Sequence, residues 1–257
     1  MTDYLLRGRS LAAERIAFRD DSHAFTYAEV DSMTREAASG MIDLIGPGRS
    51  FRAAILSPND SRAFIALIAA VRAGGAWVPV NARNPVSVSA SYLAAVGCDV
   101  LLFHSDLAAE AQQLAQRVPS IRYLVCVDDR PASGQHGLSD LRARGANRPA
   151  EDLGADPDRI MAVYPTGGTT GLSKAAIWTD WVWQAATTAF WTSMPVRRPP
   201  THLVVAPMKH AAGGVALWMM AQGSTNVMCR SSDPRDVLEA IQEHRVTHLF
   251  VPRRCCT

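Results

Sequence analysis

Between the apolar run Ile160–Val163 and a helical pattern opening near Asp180 lies Tyr164-Pro165-Thr166-Gly167-Gly168-Thr169-Thr170-Gly171-Leu172-Ser173-Lys174. These residue types suit an anion. Glycine lets the backbone turn through positive φ and brings N–H groups close to a bound oxyanion. The hydroxyls of Thr166, Thr169 and Thr170 add donors, and Lys174 adds a point charge suited to a polyphosphate. A strand, such a loop and a following helix would together form a phosphate cradle. The alternative for this composition is a solvated Gly/Thr turn.

Spacing separates the stretch from better-known phosphate loops. A Walker-type loop has glycine immediately before its lysine, whereas Ser173 precedes Lys174 here. No G-x-G-x-x-G occurs in the window, so the dinucleotide fingerprint is also missing. The residues resemble instead the phosphate-loop signature of the adenylate-forming (AMP-binding) superfamily, roughly S/T-S/G-G-S/T-T-G-x-P-K. That superfamily holds acyl-CoA synthetases, luciferases and the adenylation domains of peptide synthetases. Thr166, Gly167, Gly168, Thr169, Thr170, Gly171 and Lys174 match position by position. Ser173 stands where the family usually has proline, which leaves a less rigid turn before Lys174.

Further blocks follow in family order from about residue 10 to Pro252. Phe25-Thr26-Tyr27-Ala28-Glu29-Val30 looks like the opening T-Y-x-E-L element, and Ala54–Asn59 and Ala73–Asn81 look like the next two blocks. Pro207-Met208-Lys209-His210-Ala211-Ala212-Gly213-Gly214 resembles the later P-x-x-H-x-x-G block, whose histidine borders the acyl and nucleotide pockets. The resemblance implies a two-step reaction. A carboxylate attacks the α-phosphate of ATP, pyrophosphate leaves, and the acyl-adenylate passes its acyl group to a thiol, commonly coenzyme A. By the same resemblance Thr166, Gly167, Gly168, Thr169, Thr170, Gly171 and Lys174 would hold ATP or AMP. His210 and Gly213 would line the substrate pocket, while His202, His244 and His248 read as structural. Mg²⁺ would accompany the nucleotide, but the family's metal-binding glutamate block, ribose aspartate and mobile lysine have no counterpart here. The tail Arg253–Thr257 also departs from the pattern. The expectation is a truncated acyl-CoA synthetase of fatty or related acids with little activity alone, or one completed by a separately encoded C-terminal half. The Thr-Gly-Gly-Thr-Thr-Gly variant leans toward fatty-acyl and related CoA ligases rather than peptide-synthetase domains.

Two other functions compete. One is a non-catalytic module retaining a nucleotide or acyl pocket. The other is a serine hydrolase, since Gly171-Leu172-Ser173-Lys174-Ala175 resembles a nucleophile elbow with alanine in place of the last glycine. No downstream Asp and His pair has suitable loop placement for that chemistry.

The elements that must position these residues follow a simple rhythm. Strand-length runs at Ala53–Leu56, Ala76–Val80, Val100–Phe103, Tyr123–Val127, Ile160–Tyr164, His202–Ala206, Asn226–Cys229 and His248–Val251 alternate with helical patterns. The helices read as Tyr27–Ile45, Asp60–Arg72, Ser87–Val96, Asp106–Arg117, Asp180–Thr192, Gly214–Gln222 and Asp233–His244, with Pro234 suited to a first helical position. The alternation predicts an α/β fold, with two parallel-sheet lobes forming the incomplete N-terminal domain of an adenylate-forming enzyme. The expected boundaries are 1–130 for the first lobe, 131–157 for a surface-loop linker, 158–252 for the start of the second and 253–257 for the atypical tail. Arg142, Arg144 and Arg148 read as solvated loop charges. Trp178, Trp181, Trp183, Phe190 and Trp191 read as the core face of one helix, with an acyl-tunnel lining as the other reading.

Composition bounds the rest. With 257 residues, 48% of them hydrophobic, the chain can bury a substantial core. The 26 basic and 24 acidic side chains leave +2, which makes no electrostatic case for nucleic acid or a membrane surface. The five cysteines lack C-x-x-C spacing and are odd in number, so neither a disulfide framework nor a zinc site is expected. Cys98 and Cys126 read as small core residues. Charge interrupts the N-terminus before any signal-peptide core forms, and no apolar run could span a bilayer. A soluble, cytoplasmic protein is expected.

Overall fold

Four-residue runs such as Val100–Phe103 carry apolar side chains on both faces, and all four residues are buried. Only a strand covered by helices on both sides has that pattern, so a parallel sheet with crossover helices is the natural solution. The protein, seen as a computed structural model, is described for residues 1–165, 175–209 and 211–251. Its elements begin with α1 (Thr2–Leu11), β1 (Ile16–Arg19), β2 (Ala24–Thr26), α2 (Tyr27–Ile45), β3 (Phe51–Leu56) and α3 (Ser61–Arg72). Next come β4 (Gly75–Pro79), α4 (Val86–Val96), β5 (Val100–Phe103), α5 (Ala108–Arg117), β6 (Tyr123–Cys126), β7 (His136–Gly137) and α6 (Leu138–Gly145). Then follow β8 (Ile160–Pro165), β9 (Ala175–Thr179), α7 (Asp180–Ser193), β10 (Thr201–Val204), α8 (Ala211–Met220), β11 (Thr225–Met228), α9 (Pro234–Glu243) and β12 (His248–Leu249).

These elements form two compact units, neither continuous in sequence. The first comprises residues 1–32, 58–61 and 186–257, and the second 33–57 and 62–185. The first is built on a five-stranded sheet of order β12-β10-β11-β1-β2. Its pairings are parallel except β1 with β2. Tyr27 fills its interior, donating from its buried hydroxyl to Ser224 O at 2.7 Å. The second unit is built on a seven-stranded sheet of order β7-β6-β5-β3-β4-β8-β9, parallel except for the β8–β9 pair. Its core runs from Leu56 and Val78 through Leu93, Leu101, Phe103 and Leu114 to Val163. Thus the α/β architecture with mostly parallel sheets is the one the alternating pattern implies, with an antiparallel strand added at one edge of each sheet.

Residues 131–157, which read as a loop, lie inside the second unit and contain β7 and α6. The helix was hidden by its arginines. Leu138 and Leu141 are buried, Arg142 pairs with Glu36 at 2.9 Å and Arg148 with Asp43 at 3.1 Å, both acidic partners belonging to α2. A side-chain carbon on Gly145 would collide with the Glu36 carbonyl, and one on Gly40 with that of Leu141. Glycine at both places lets the two helices touch backbone to backbone. Beyond α6, Asp152 anchors the chain through Arg35 at 2.5 Å and the fully buried Arg72 at 3.2 Å.

The aromatic run also departs from expectation. Trp178 sits on β9 rather than on a helix, Trp181 is 68% exposed, and Trp183 is buried. Cys98 and Cys126 are free and buried, as small core residues are. Burial pushes the Cys98 thiol up to about 12 and the Cys126 thiol up to about 11.

Candidate active site

The phosphate-loop residues Thr166, Gly167, Gly168, Thr169, Thr170, Gly171 and Lys174, together with Ser173 and His210, lie outside the described residues. What surrounds them is described. In the second unit β8 delivers the chain to Pro165 and β9 takes it back from Ala175, and these two residues are partners in the antiparallel ladder. The stretch between them therefore leaves and re-enters the sheet at neighbouring positions. It does so at the carboxyl end of β8, which lies parallel to β4. In open α/β sheets that edge is where ligands bind.

The frame is stiff. Trp77 of β4, Tyr164 of β8, Trp178 of β9 and Trp183 of α7 form a chain of tilted and edge-on ring contacts, with centroids 5.3 to 6.3 Å apart. Such pairs contribute roughly 0.5–1.5 kcal/mol each beyond the area they bury. One residue earlier, the Tyr92 hydroxyl donates to Val163 O at 2.6 Å. Burial raises the pKa of both Tyr92 and Tyr164, so both phenols remain protonated.

The frame contains a strand that the sequence reading did not assign. The helix does not follow the loop directly. Five residues of β9 intervene, and α7 opens at Asp180, whose N–H bonds Arg159 O at 2.8 Å, at the entry end of β8. A strand rise of 3.4 Å puts that helix start about 17 Å from Ala175. The helix signal at Asp180 was genuine, and the five residues AAIWT before it form a strand that the sequence reading left unassigned.

The Pro207–Gly214 block belongs to the first unit. Gly213 lies in the first turn of α8 and is buried. The segment leading to it is held by Asn59, which is 5% exposed. Its Nδ2 donates to Val204 O at 2.8 Å and Cys229 O at 2.9 Å, with Ala206 O at 3.2 Å also in reach. Its Oδ1 accepts from Met208 N at 2.8 Å. One amide thus ties the exits of β10 and β11 to the turn before position 210. Sequence reading placed Asn59 in a family-like block without this task, because Pro58-Asn59-Asp60 carries only turn chemistry. Asp60 pairs with Arg230 at 2.7 Å, and Asp20 accepts from Ser61 N at 3.3 Å, so the whole 58–61 turn is tied to its unit.

A second polar cluster lies beyond β5 and β6 in the second unit. Asp128 accepts from Ser105 N at 2.8 Å, from Ser105 Oγ at 2.6 Å and from Cys126 Sγ at 3.1 Å. Burial pushes this carboxyl up, but the bonds from Ser105 and Cys126 outweigh it and leave the pKa at about 2. His104 Nδ1 accepts from Asp106 N at 3.1 Å, so the ring is engaged in capping a short 3₁₀ turn. The cluster orders a turn; its serine bonds the carboxylate instead of the imidazole, which is not a nucleophilic triad. Among the described residues no group of three His, Cys, Asp or Glu could hold a metal ion. No described helix is long and apolar enough to cross a membrane.

Comparison with known proteins turns this geometry into a family assignment. The model of the family described as AMP-binding enzyme matches residues 9–256. The chain belongs to the AMP-binding enzyme family. This family member is 30% identical over 254 residues to a feruloyl-CoA synthase of an Amycolatopsis species, covering 95% of this chain and 47% of that protein. It is 25% identical over 253 residues to the long-chain-fatty-acid–CoA ligase FadD13 of Mycobacterium tuberculosis, covering 95% and 48%. Among solved structures, the amide bond synthetase McbA of Marinactinospora thermotolerans superposes with a TM-score of 0.83 at 27% identity, covering 96% of this chain and 48% of that one. A long-chain-fatty-acid–CoA ligase, FadD1 of Archaeoglobus fulgidus, superposes with a TM-score of 0.88 at 19% identity over 98% and 51%, a likeness of fold alone. The curated relatives named here are acyl-CoA ligases, and the chain spans about half their length.

Proposed function

We propose that this AMP-binding chain supplies the nucleotide-phosphate site of an ATP-dependent acyl-CoA synthetase. A carboxylate would attack the α-phosphate of ATP, and the acyl group would pass to coenzyme A through an acyl-adenylate. Thr166, Thr169, Thr170 and Lys174 would hold the departing phosphates, with Gly167, Gly168 and Gly171 allowing close backbone approach. Charge on those phosphates grows as the bond to the α-phosphorus breaks, so fixed donors there lower the barrier. His210 and Gly213 would border the acid.

One observation carries this reading: the seven-position signature stands between the paired residues Pro165 and Ala175, at the carboxyl edge of a parallel sheet. The donor set suits a polyphosphate, three hydroxyls and one ammonium group being acceptor-seeking. Among the described residues no group of three His, Cys, Asp or Glu could hold a metal ion, and no step is assigned to one. The acid is of the fatty or related carboxylic class, in keeping with relatives named for feruloyl and long-chain fatty acyl groups. The chain would act with polypeptide equivalent to the relatives' second half, which supplies the remaining catalytic groups, and the setting would be the cytoplasm.

Titration calorimetry with ATP tests the site. Binding that Lys174→Ala weakens at least tenfold is expected; no measurable binding by the wild-type chain refutes the reading. Binding that persists without substrate-dependent pyrophosphate–ATP exchange in the presence of the second half would support the non-catalytic module instead.

A further inference from the structure

At the amino ends of β10 and β11 the first unit holds a cavity of about 440 Å³, between the end of α1, the segment joining α7 to β10 and the end of α8. That volume suits a small organic molecule. Leu11 and Trp191 give it an apolar wall, Arg7, Arg197 and Arg198 stand around it, and Gln222 lines it as well. The Arg7 guanidinium lies 5.6 Å from the centre of the Trp191 ring. Arg9 and Arg230 of the same unit each hold an aspartate at 2.7 Å. None of the three cavity arginines pairs with a carboxylate among the described residues. Three like charges around one apolar cavity favour the arrival of an anion. Gln222 Oε1 adds a buried acceptor without a partner among the described residues, a rare state that a ligand's donor would end. The segment carrying two of the arginines is fixed in place. Arg15 donates to Pro199 O at 3.2 Å and Thr225 N to Pro200 O at 2.9 Å, and Pro195, Pro199 and Pro200 narrow its backbone freedom.

We propose that this cavity binds an amphiphilic oxyanion, a carboxylate, phosphate or sulfate group carried on an apolar body. Each feature selects one part of such a molecule. Guanidinium forks match the oxygens of the head. Leu11 and Trp191 take the apolar body out of water. A hydroxyl or N–H on the ligand meets Gln222. An inorganic anion would leave the apolar wall wet, and a neutral chain would leave the cations uncompensated. The site is separate from the groups assigned above to the acid. Met208 and Gly213 stand beyond the carboxyl end of β10 and in the first turn of α8, whereas Pro199 and Ala221 stand at the opposite ends of those two elements. Ten residues of helix put the ends of α8 about 15 Å apart. The molecule held here is therefore a second ligand and not the reacting acid.

Titration calorimetry of the full 257-residue chain with monomeric decyl phosphate should find one saturable site. Inorganic phosphate and 1-decanol, which carry only the head or only the body, should each bind at least tenfold more weakly. The double variant Arg197→Ala/Arg198→Ala should weaken decyl phosphate at least tenfold. Leu11→Glu should do the same by setting a carboxylate in the apolar wall. Arg117→Ala, at an exposed arginine of α5 in the second unit, should change nothing. All four substituted side chains are exposed, and far-UV circular dichroism checks that each variant keeps its fold. The proposal is overturned by an absence of saturable binding, by binding that inorganic phosphate matches, or by an affinity indifferent to both variants. Sedimentation with phosphatidylglycerol vesicles separates a free amphiphile from a lipid headgroup. A chain that sediments with vesicles yet ignores the monomeric probe would assign the arginines to a bilayer surface and also overturn the proposal. ATP titration of the double variant should match the wild type, so failure here and failure of the nucleotide reading are told apart.

Discussion

Lowering the pH from 7 to 4.5 should strip the five-stranded sheet of a stability increment that one buried imidazole accounts for. His202 on β10 is 1% exposed, with Nδ1 bonded to Asn226 Oδ1 at 2.9 Å and Nε2 buried without a partner among the described residues. Burial lowers its pKa from 6.5 to about 4, and the neighbouring His248 pushes the same way. The folded chain therefore binds fewer protons than the unfolded chain between those values, so stability falls as pH drops through that window. At 1.36 kcal/mol per unit, the 2.5-unit difference amounts to about 3 kcal/mol, about 2.5 kcal/mol of it lost between pH 7 and 4.5 and the rest at lower pH. That is a sizeable share of a typical 5–15 kcal/mol. Urea unfolding from pH 7 to 4.5, in the wild type and in His202→Phe, isolates the term, because every other group titrates in both proteins. The variant should start about 1–3 kcal/mol less stable, with Asn226 left unpaired. It should then lose about 2.5 kcal/mol less than the wild type on acidification to pH 4.5. Parallel losses in the two proteins would refute the argument, as would an imidazole that titrates near 6.5 by NMR.

Other substitutions probe the frame around the site. Asn59→Leu removes donors to Val204 and Cys229 and the acceptor of Met208 N, and should cost about 3 kcal/mol or more in thermal or denaturant unfolding. Hydrogen exchange in that variant should quicken over residues 204–209 first. Gly145→Ala should cost about 1–3 kcal/mol, since α6 must move off the Glu36 carbonyl of α2. Cys98 and Cys126 should resist a thiol reagent at pH 8 in the folded protein and react on unfolding, because burial keeps both thiols protonated.

Local pattern carried much of this molecule. Val100–Phe103 and Tyr27–Ile45 fold over the very bounds their apolar spacing implies, and each of the eight strand runs read from sequence overlaps a strand. The failures share a cause. α1, with Tyr4, Leu5 and Gly8 buried among charges, and α6, with its paired arginines, hide their inward faces behind polar composition. β1, β2 and β9 take their partners from tertiary structure. Ile16–Arg19 joins β11, which lies some two hundred residues later, a pairing that periodicity does not encode. Likewise the phosphate-loop signature is legible in residue types, whereas the Asn59 clamp exists only once distant carbonyls converge on one amide.

The paired positions Pro165 and Ala175 give the sheet a property useful beyond this chain. A segment whose two ends are paired on one rung of a ladder can change length at little cost, because closing a slightly longer loop adds only a few tenths of a kcal/mol while both strands stay in register. Exchanging the nine residues between them for the equivalent segment of a relative is expected to leave the fold of the second unit intact. Evolution could swap this part of the molecule in the same way, leaving the scaffold beneath it untouched.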